Sequence, residues 1–201
     1  MRRLLLLALA LAVAAGLAGV VLRVSSGSGG RQAPGWYART VYPLEYEGVI
    51  RTSAHRNDLD PALVAAVIYA ESRFDARARS SHGAVGLMQL LPETAAQIAR
   101  DTGGVAFVSA DLDDPRLNIR YGCYYLRTIL DVFGGDRVAA IAAYNAGAGT
   151  VGEWVAAARA EGHALRVADI PYAETRAYVG SVLEAQRIYR QTYGDRLRRA
   201  S

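Results

Sequence analysis

The sequence predicts an all-α fold: a compact multi-helix domain preceded by an N-terminal apolar anchor or signal helix. Three observations carry that expectation. From Trp36 onward, apolar residues recur at three- and four-residue spacing over stretches of helical length. Gly and Pro punctuate those stretches, with Asp60-Pro61, Pro92 and Asp114-Pro115 at starts and Gly103 and Gly134-Gly135 at stops. No pair of alternating strand-like runs, no repeat and no long low-complexity segment interrupts them.

The first element stands apart. Met1, Arg2 and Arg3 make a basic start, and Leu4 to Leu22 is an apolar run of 19 residues closed by Arg23. As a helix that run spans roughly 28 Å, close to a hydrocarbon core. Its length favours a retained membrane anchor over a cleaved signal peptide, while Ala12-Val13-Ala14 offers a small-residue cleavage site. On either reading the rest of the chain is exported to the cell envelope. Ser25-Ser26-Gly27-Ser28-Gly29-Gly30 then reads as a flexible linker. The expected organisation is 1–24 signal or anchor, 25–35 linker and 36–201 one globular domain.

Within that domain, Leu44 to His55 is a candidate opening helix. Asp60 caps the next and Pro61 suits its first position, with helix continuing to Phe74. Another runs from Pro92 to Gly103. A third starts at Asp114-Pro115, carries Leu117, Tyr121, Tyr124, Tyr125 and Ile129 at helical spacing, and stops at Gly134-Gly135. Asp136 caps a short helix through Ala143. Val151 to Ala160 and a long Ala173 to Tyr193 complete the set.

Charge narrows the functional classes. All 23 basic residues are Arg, and the formal net charge is +4. Arg2, Arg3 and Arg23 flank the apolar run, so +4 less 3 leaves +1 for the exported part. A near-neutral domain lacks the concentrated basic face that nucleic acid demands. The single Cys123 permits no intramolecular disulfide and sits among apolar helical neighbours, which makes it a small buried hydrophobe. His55, His82 and His163 are scattered without metal-ligand spacing, so no metal and no cofactor is expected.

The chemistry concentrates near Glu71. On its helix, Val64, Val67 and Ile68 form an apolar face, and position 71 falls i+4 from Val67 and i+3 from Ile68. A carboxylate on a core-facing stripe is costly. Two readings follow. Either Glu71 turns outward at the helix end and pairs with Arg73 or Arg77, or desolvation keeps it protonated near neutral pH as a general acid. Downstream, Ser80 to Gln89 is a loop with Gly83 and Gly86 three apart, which permits a tight path, and Gln89 offers both donor and acceptor. Tyr144 and Asn145 close a helix in the glycines of Ala146-Gly147-Ala148-Gly149 and face outward as the chain turns. Glu174 opens the last helix, where a carboxylate also complements the helix dipole.

Together, four blocks resemble the soluble (Slt) type of lytic transglycosylase, whose catalytic domain looks like goose-type lysozyme: ESRFDARARSSHGAVGLMQLLPETA (Glu71 to Ala95), NIRYGCYYL (Asn118 to Leu126), AYNAGAGTV (Ala143 to Val151) and IPYAETRAYV (Ile170 to Val179). The resemblance runs over about 42–189 and implies a lysozyme-like domain with a substrate groove. It also implies cleavage of peptidoglycan glycan strands. Carried over position by position, it makes Glu71 the single catalytic acid/base. Ser80 and Gln89 would bind or orient the sugar, with Met88 lining the groove. Tyr144 would place its hydroxyl near the reacting centre, Asn145 would support that turn, and Glu174 would position substrate. Leu91 stands where Met is frequent in the family and Tyr172 where Phe is frequent, which touches subsite detail only. The alternatives are a hydrolytic muramidase on the same scaffold and a non-catalytic peptidoglycan-binding module. The expected partners are glycan strands and, through the N-terminal segment, the membrane.

Overall fold

The computed structural model describes residues 35–103 and 107–198. The anchor or signal segment and nearly all of the linker therefore lie outside the described residues. The chain divides into two units, one ending at Val41 and one starting at Tyr42. In the first, helix α1 (Gly35–Val41) is described, with the Thr40 hydroxyl donating to the Trp36 carbonyl at 3.0 Å.

The second unit holds α2 (Glu47–Arg56), α3 (Pro61–Ser72), α4 (Pro92–Asp101), α5 (Pro115–Val132), α6 (Arg137–Ala146), α7 (Ala148–Ala160) and α8 (Ala173–Arg198). Short 3-10 turns at Ser109–Asp113 and Val167–Asp169 precede α5 and α8. Among the described residues there is no strand, only isolated bridges joining Arg79 to Val85 and Val85 to Leu90. The expected helices are present with shifted ends. The Val151 to Ala160 helix starts three residues earlier, and the last one runs on to Arg198.

Helix α3 sits at the centre. Ala62 to Tyr69 are all buried, so this helix has core on every side rather than on one stripe. Asp60 caps it, accepting from the Ala62 N–H at 2.9 Å. The same carboxylate accepts from Gln186 at 2.7 Å and pairs with Arg190 at 2.6 Å, both on α8. That ties the start of the central helix to the long one lying along it. Farther along α8, Tyr189 and Tyr193 donate to the carbonyls of Pro43 and Tyr42 at 2.7 and 2.9 Å.

The other end of α3 differs from expectation. It stops at Ser72, and Arg73 and Phe74 adopt left-handed φ of 54° and 68°. Two consecutive non-glycine residues in that region cost roughly 1–3 kcal/mol each. Burial of Phe74 and the Arg73 guanidinium, 4.0 Å over the Tyr69 ring, offset part of that cost. The turn throws the chain back across the helix end into the loop that ends at Gln89. A second small core of Val85, Leu90, Ala95, Ile98, Ala99, Leu112 and Tyr121 underlies that loop.

Candidate active site

Glu71 lies where the buried helix emerges. Its neighbours before position 70 are fully enclosed, and Ala70 and Glu71 are half-buried. The outward-pairing alternative is not realised. Among the described residues no ion pair reaches Glu71, while Arg73 stacks on Tyr69 and the Arg77 N–H bonds the Asp75 carboxylate at 2.8 Å. Instead the Tyr178 hydroxyl on α8 donates to Glu71 Oε1 at 2.5 Å. Burial pushes the Glu71 carboxyl up from an ordinary 4.5 to about 7, and the Tyr178 hydrogen bond, which favours the ionised form, opposes it. Desolvation wins because one donor cannot replace the water the carboxylate has lost. Near neutral pH the group is thus poised between acid and base.

The two tyrosines beside it stay protonated. Burial and the charge of Glu71 hold both Tyr144 and Tyr178 well above the ordinary phenol value. Both therefore remain hydrogen-bond donors. Oε1 accepts the Tyr178 proton, and among the described residues no hydrogen bond engages Oε2.

The 80–89 loop is held from below by a fully buried amide. Asn118, in the first turn of α5, accepts from the Met88 N–H at 2.9 Å and donates to the carbonyls of Val85 and Leu112 at 2.8 and 3.1 Å. Gly86, at φ +78°, passes so close that a Cβ there would meet the Asn118 amide nitrogen at 2.3 Å. From the α3 side, the Ser72 hydroxyl spans the Ile68 and Leu87 carbonyls at 3.1 and 2.9 Å. Helix end and loop are thereby one unit.

The predicted residues divide by what they touch. Tyr144 comes to the Glu71 centre: its ring is half-buried rather than outward-facing, and its hydroxyl donates to the Met88 carbonyl at 2.9 Å. The Met88 side chain, expected to line a groove, is instead 0% exposed and packs on Gly122, where a Cβ would approach its sulfur to 2.2 Å. An enclosed thioether has no surface left for a ligand, so Met88 acts in the core and through its backbone. Ser80 turns its hydroxyl to the N–H groups of His82 and Ala84 at 3.2 and 3.0 Å, shaping the loop. Gln89, at φ 46°, donates to the carbonyls of Ala78 and Gly86 at 3.2 and 2.8 Å. Asn145 is exposed and accepts from Thr175 of α8 at 2.8 Å. Glu174 is exposed, with neither hydrogen bond nor ion pair to Glu71.

Two residues that matter to this geometry carry no role in the sequence reading. Tyr178 lies inside the IPYAETRAYV block, one helical turn beyond Glu174, but its partner sits 107 positions away. Asn118 had a visible signal: a polar residue on the face that continues through Gly122 and Leu126 into the core. Among the described residues, no group of three or more His, Cys, Asp or Glu side chains is placed to hold a metal ion.

Fold and site together define the class: an all-α domain whose central helix ends in one desolvated carboxyl, Glu71. The chain belongs to the transglycosylase SLT domain family, whose model matches residues 48–167. It is 34% identical over 158 residues to the soluble lytic murein transglycosylase of Escherichia coli K12, covering 77% of this chain and 24% of that protein. It is 31% identical to the membrane-bound lytic murein transglycosylase C of Cronobacter sakazakii, covering 73% and 47%. The chain thus spans about a quarter of the length of the soluble relative. Among solved structures it resembles the 70 kDa soluble lytic transglycosylase Slt70 of Escherichia coli, with TM-score 0.71 and 31% identity over 80% of this chain and 26% of that one. An inactive Glu→Gln mutant of lytic transglycosylase Slt from Pseudomonas aeruginosa gives TM-score 0.69 and 35% identity over 76% and 25%. The lysozyme-like all-α architecture expected from the motifs is the one these neighbours share.

Proposed function

We propose that this chain is a peptidoglycan lytic transglycosylase. It cleaves the β-1,4 bond between N-acetylmuramic acid and N-acetylglucosamine and forms a 1,6-anhydromuramyl end. The observation that carries the reading is Glu71: a half-buried carboxyl raised to about 7, held by one tyrosine, with no second acid bonded to it among the described residues. Most glycosidases divide the work between two carboxylates. A lone proton-exchanging group suits a reaction in which the substrate supplies the rest. The names of the relatives agree, and the Pseudomonas aeruginosa mutant described as inactive is a Glu→Gln change.

In the proposed sequence, Glu71 Oε2 gives its proton to the glycosidic oxygen as the bond to the muramyl anomeric carbon breaks. The muramyl N-acetyl oxygen stabilises the positive charge left there. Tyr178 meanwhile stabilises the new Glu71 carboxylate through Oε1. That carboxylate takes the proton of the muramyl 6-hydroxyl, whose oxygen closes the anhydro ring, and Glu71 ends protonated as it began. No water is consumed. Proton transfer by such a group contributes roughly 10²–10⁴-fold in rate. In this reading Ser80 and Gln89 orient sugar from the loop, Tyr144 sets its hydroxyl beside the reacting centre, and Asn145 and Glu174 border the substrate. Residues 1–24 deliver the chain to the envelope as anchor or signal, 25–35 act as spacer, and 36–201 form the catalytic domain.

Muropeptide mass spectrometry after digestion of purified sacculi tests the reading. Wild type releases anhydro products, lighter by one water and without a reducing end. Glu71→Gln folds and releases none. Reducing-end products from the wild type would instead establish a hydrolytic muramidase, and normal clearing by Glu71→Gln would remove Glu71 from the chemistry.

A further inference from the structure

Tyr172, just before α8, is 57% exposed. A single exposed apolar side chain needs no explanation, but this ring has a set orientation. Trp154 of α7 meets it at 80°, with centroids 5.0 Å apart. Trp154 itself packs on the main core. The backbone beneath is anchored as well: Ile170 is fully buried, its carbonyl accepts from the Arg176 guanidinium at 2.6 Å, and the Tyr172 carbonyl accepts from the Arg176 N–H at 2.9 Å. A ring packed against Trp154, on a backbone fixed at its root, keeps more than half of its surface open to solvent, at little entropic cost on binding.

Tyr172 leads directly into the helix that reaches the Glu71 centre: Tyr178, which grips Glu71, lies six residues farther along the chain, inside α8. Between them, Thr175 bonds the Asn145 amide oxygen, which leaves the amide N–H groups as exposed donors. The exposed carboxylate of Glu174 adds an acceptor on the same turn. An apolar ring face bordered by a donor and an acceptor matches a pyranose with a C–H face and a rim of hydroxyl and acetamide groups.

We propose that Tyr172, braced by Trp154, is a stacking platform for an N-acetylated sugar ring of the glycan strand, away from the bond being broken. The platform rests on the lytic transglycosylase reading for the identity of its strand. It gives affinity and register, and takes no part in proton transfer.

The test uses the full chain carrying Glu71→Gln and the peptide-free oligomer tetra-N-acetylchitotetraose, followed by tryptophan fluorescence and titration calorimetry. In that background Tyr172→Ala weakens binding about tenfold, the scale of one aromatic contact. Tyr172→Phe binds like the parent, because stacking needs the ring and not the hydroxyl. Both keep the parent's thermal midpoint, since the side chain is exposed. Equal affinity of Tyr172→Ala and parent would overturn the proposal. So would a Tyr172→Phe as weak as Tyr172→Ala, or a parent that fails to bind the peptide-free oligomer and takes only peptide-bearing muropeptides. Failure of the underlying function reads out separately: sacculi that yield no anhydro ends reject the chemistry and leave the oligomer affinities standing.

Discussion

Removing one hydroxyl, by Tyr178→Phe, tests the electrostatics of the centre directly. In the folded chain that hydroxyl donates to Glu71 Oε1 at 2.5 Å and lowers the carboxyl's pKa against the larger upward push of burial. Without it, desolvation acts unopposed, so the pKa moves above about 7. A hydrogen bond to a charged group contributes about 1.5–3 kcal/mol, and one pKa unit corresponds to about 1.36 kcal/mol. Half-exposure of Glu71 sets the lower end, a rise of about one unit. In the proposed reaction Glu71 acts first as an acid, so activity falls on the alkaline side as it ionises. The alkaline limb of kcat/KM against pH therefore has its midpoint near 7 in the wild type, and moves up about one unit in Tyr178→Phe. The plateau rate drops about tenfold, because the carboxylate formed in mid-reaction has lost its stabilising donor. Release of soluble muropeptides from sacculi across the pH range gives the profile, and carbon NMR of labelled glutamate gives the pKa in the resting protein. A limb that stays in place or moves to lower pH would refute the assignment of Tyr178 as the group that holds Glu71 toward ionisation.

Two further outcomes follow from the same contacts. Glu71 binds its proton more tightly folded than unfolded, so its contribution to stability is full below about 4.5 and is lost as pH rises through about 7. Glu71→Gln, which keeps a Tyr178 partner and carries no charge, melts higher than wild type above pH 7, and the gap narrows as pH falls toward 4.5; thermal melts at several pH values show the trend. Asn118→Leu strips the 80–89 loop of its buried anchor, leaving the Met88 N–H and the Val85 and Leu112 carbonyls without their partner. It destabilises the chain by about 3 kcal/mol in denaturant unfolding. In the surviving folded fraction it lowers activity, since the Met88 carbonyl no longer fixes Tyr144.

Much of this was legible in the chain itself. Local rules name the helices, because Asp-Pro starts and Gly stops act over three or four residues: Asp60 caps α3, Asp114 α5 and Asp136 α6, each through its own side chain. Glu71 also announced itself, being a carboxylate where the pattern calls for an apolar residue. A single apolar stripe does not describe α3, which is enclosed on all sides, and Glu71 is set apart by emerging from the core rather than by facing it. The early stop at Ser72 was hidden for a related reason. Arg73 and Phe74 have no preference for left-handed backbone, and only Tyr69 and the core make that conformation stable there.

Composition and periodicity alone determined that the domain is helical, where its Asp- and Pro-capped helices begin, and that one acid at position 71 is out of place. Tertiary structure alone decided what that acid experiences. Its proton affinity depends on how much water is excluded and on a hydroxyl 107 residues away. The burial of Met88 depends on Gly122, and the loop's path on Asn118. Caps and periodicities are set by neighbours along the chain, whereas desolvation and hydrogen bonding between helices are set by neighbours in space, and no local pattern encodes which distant residue that neighbour is.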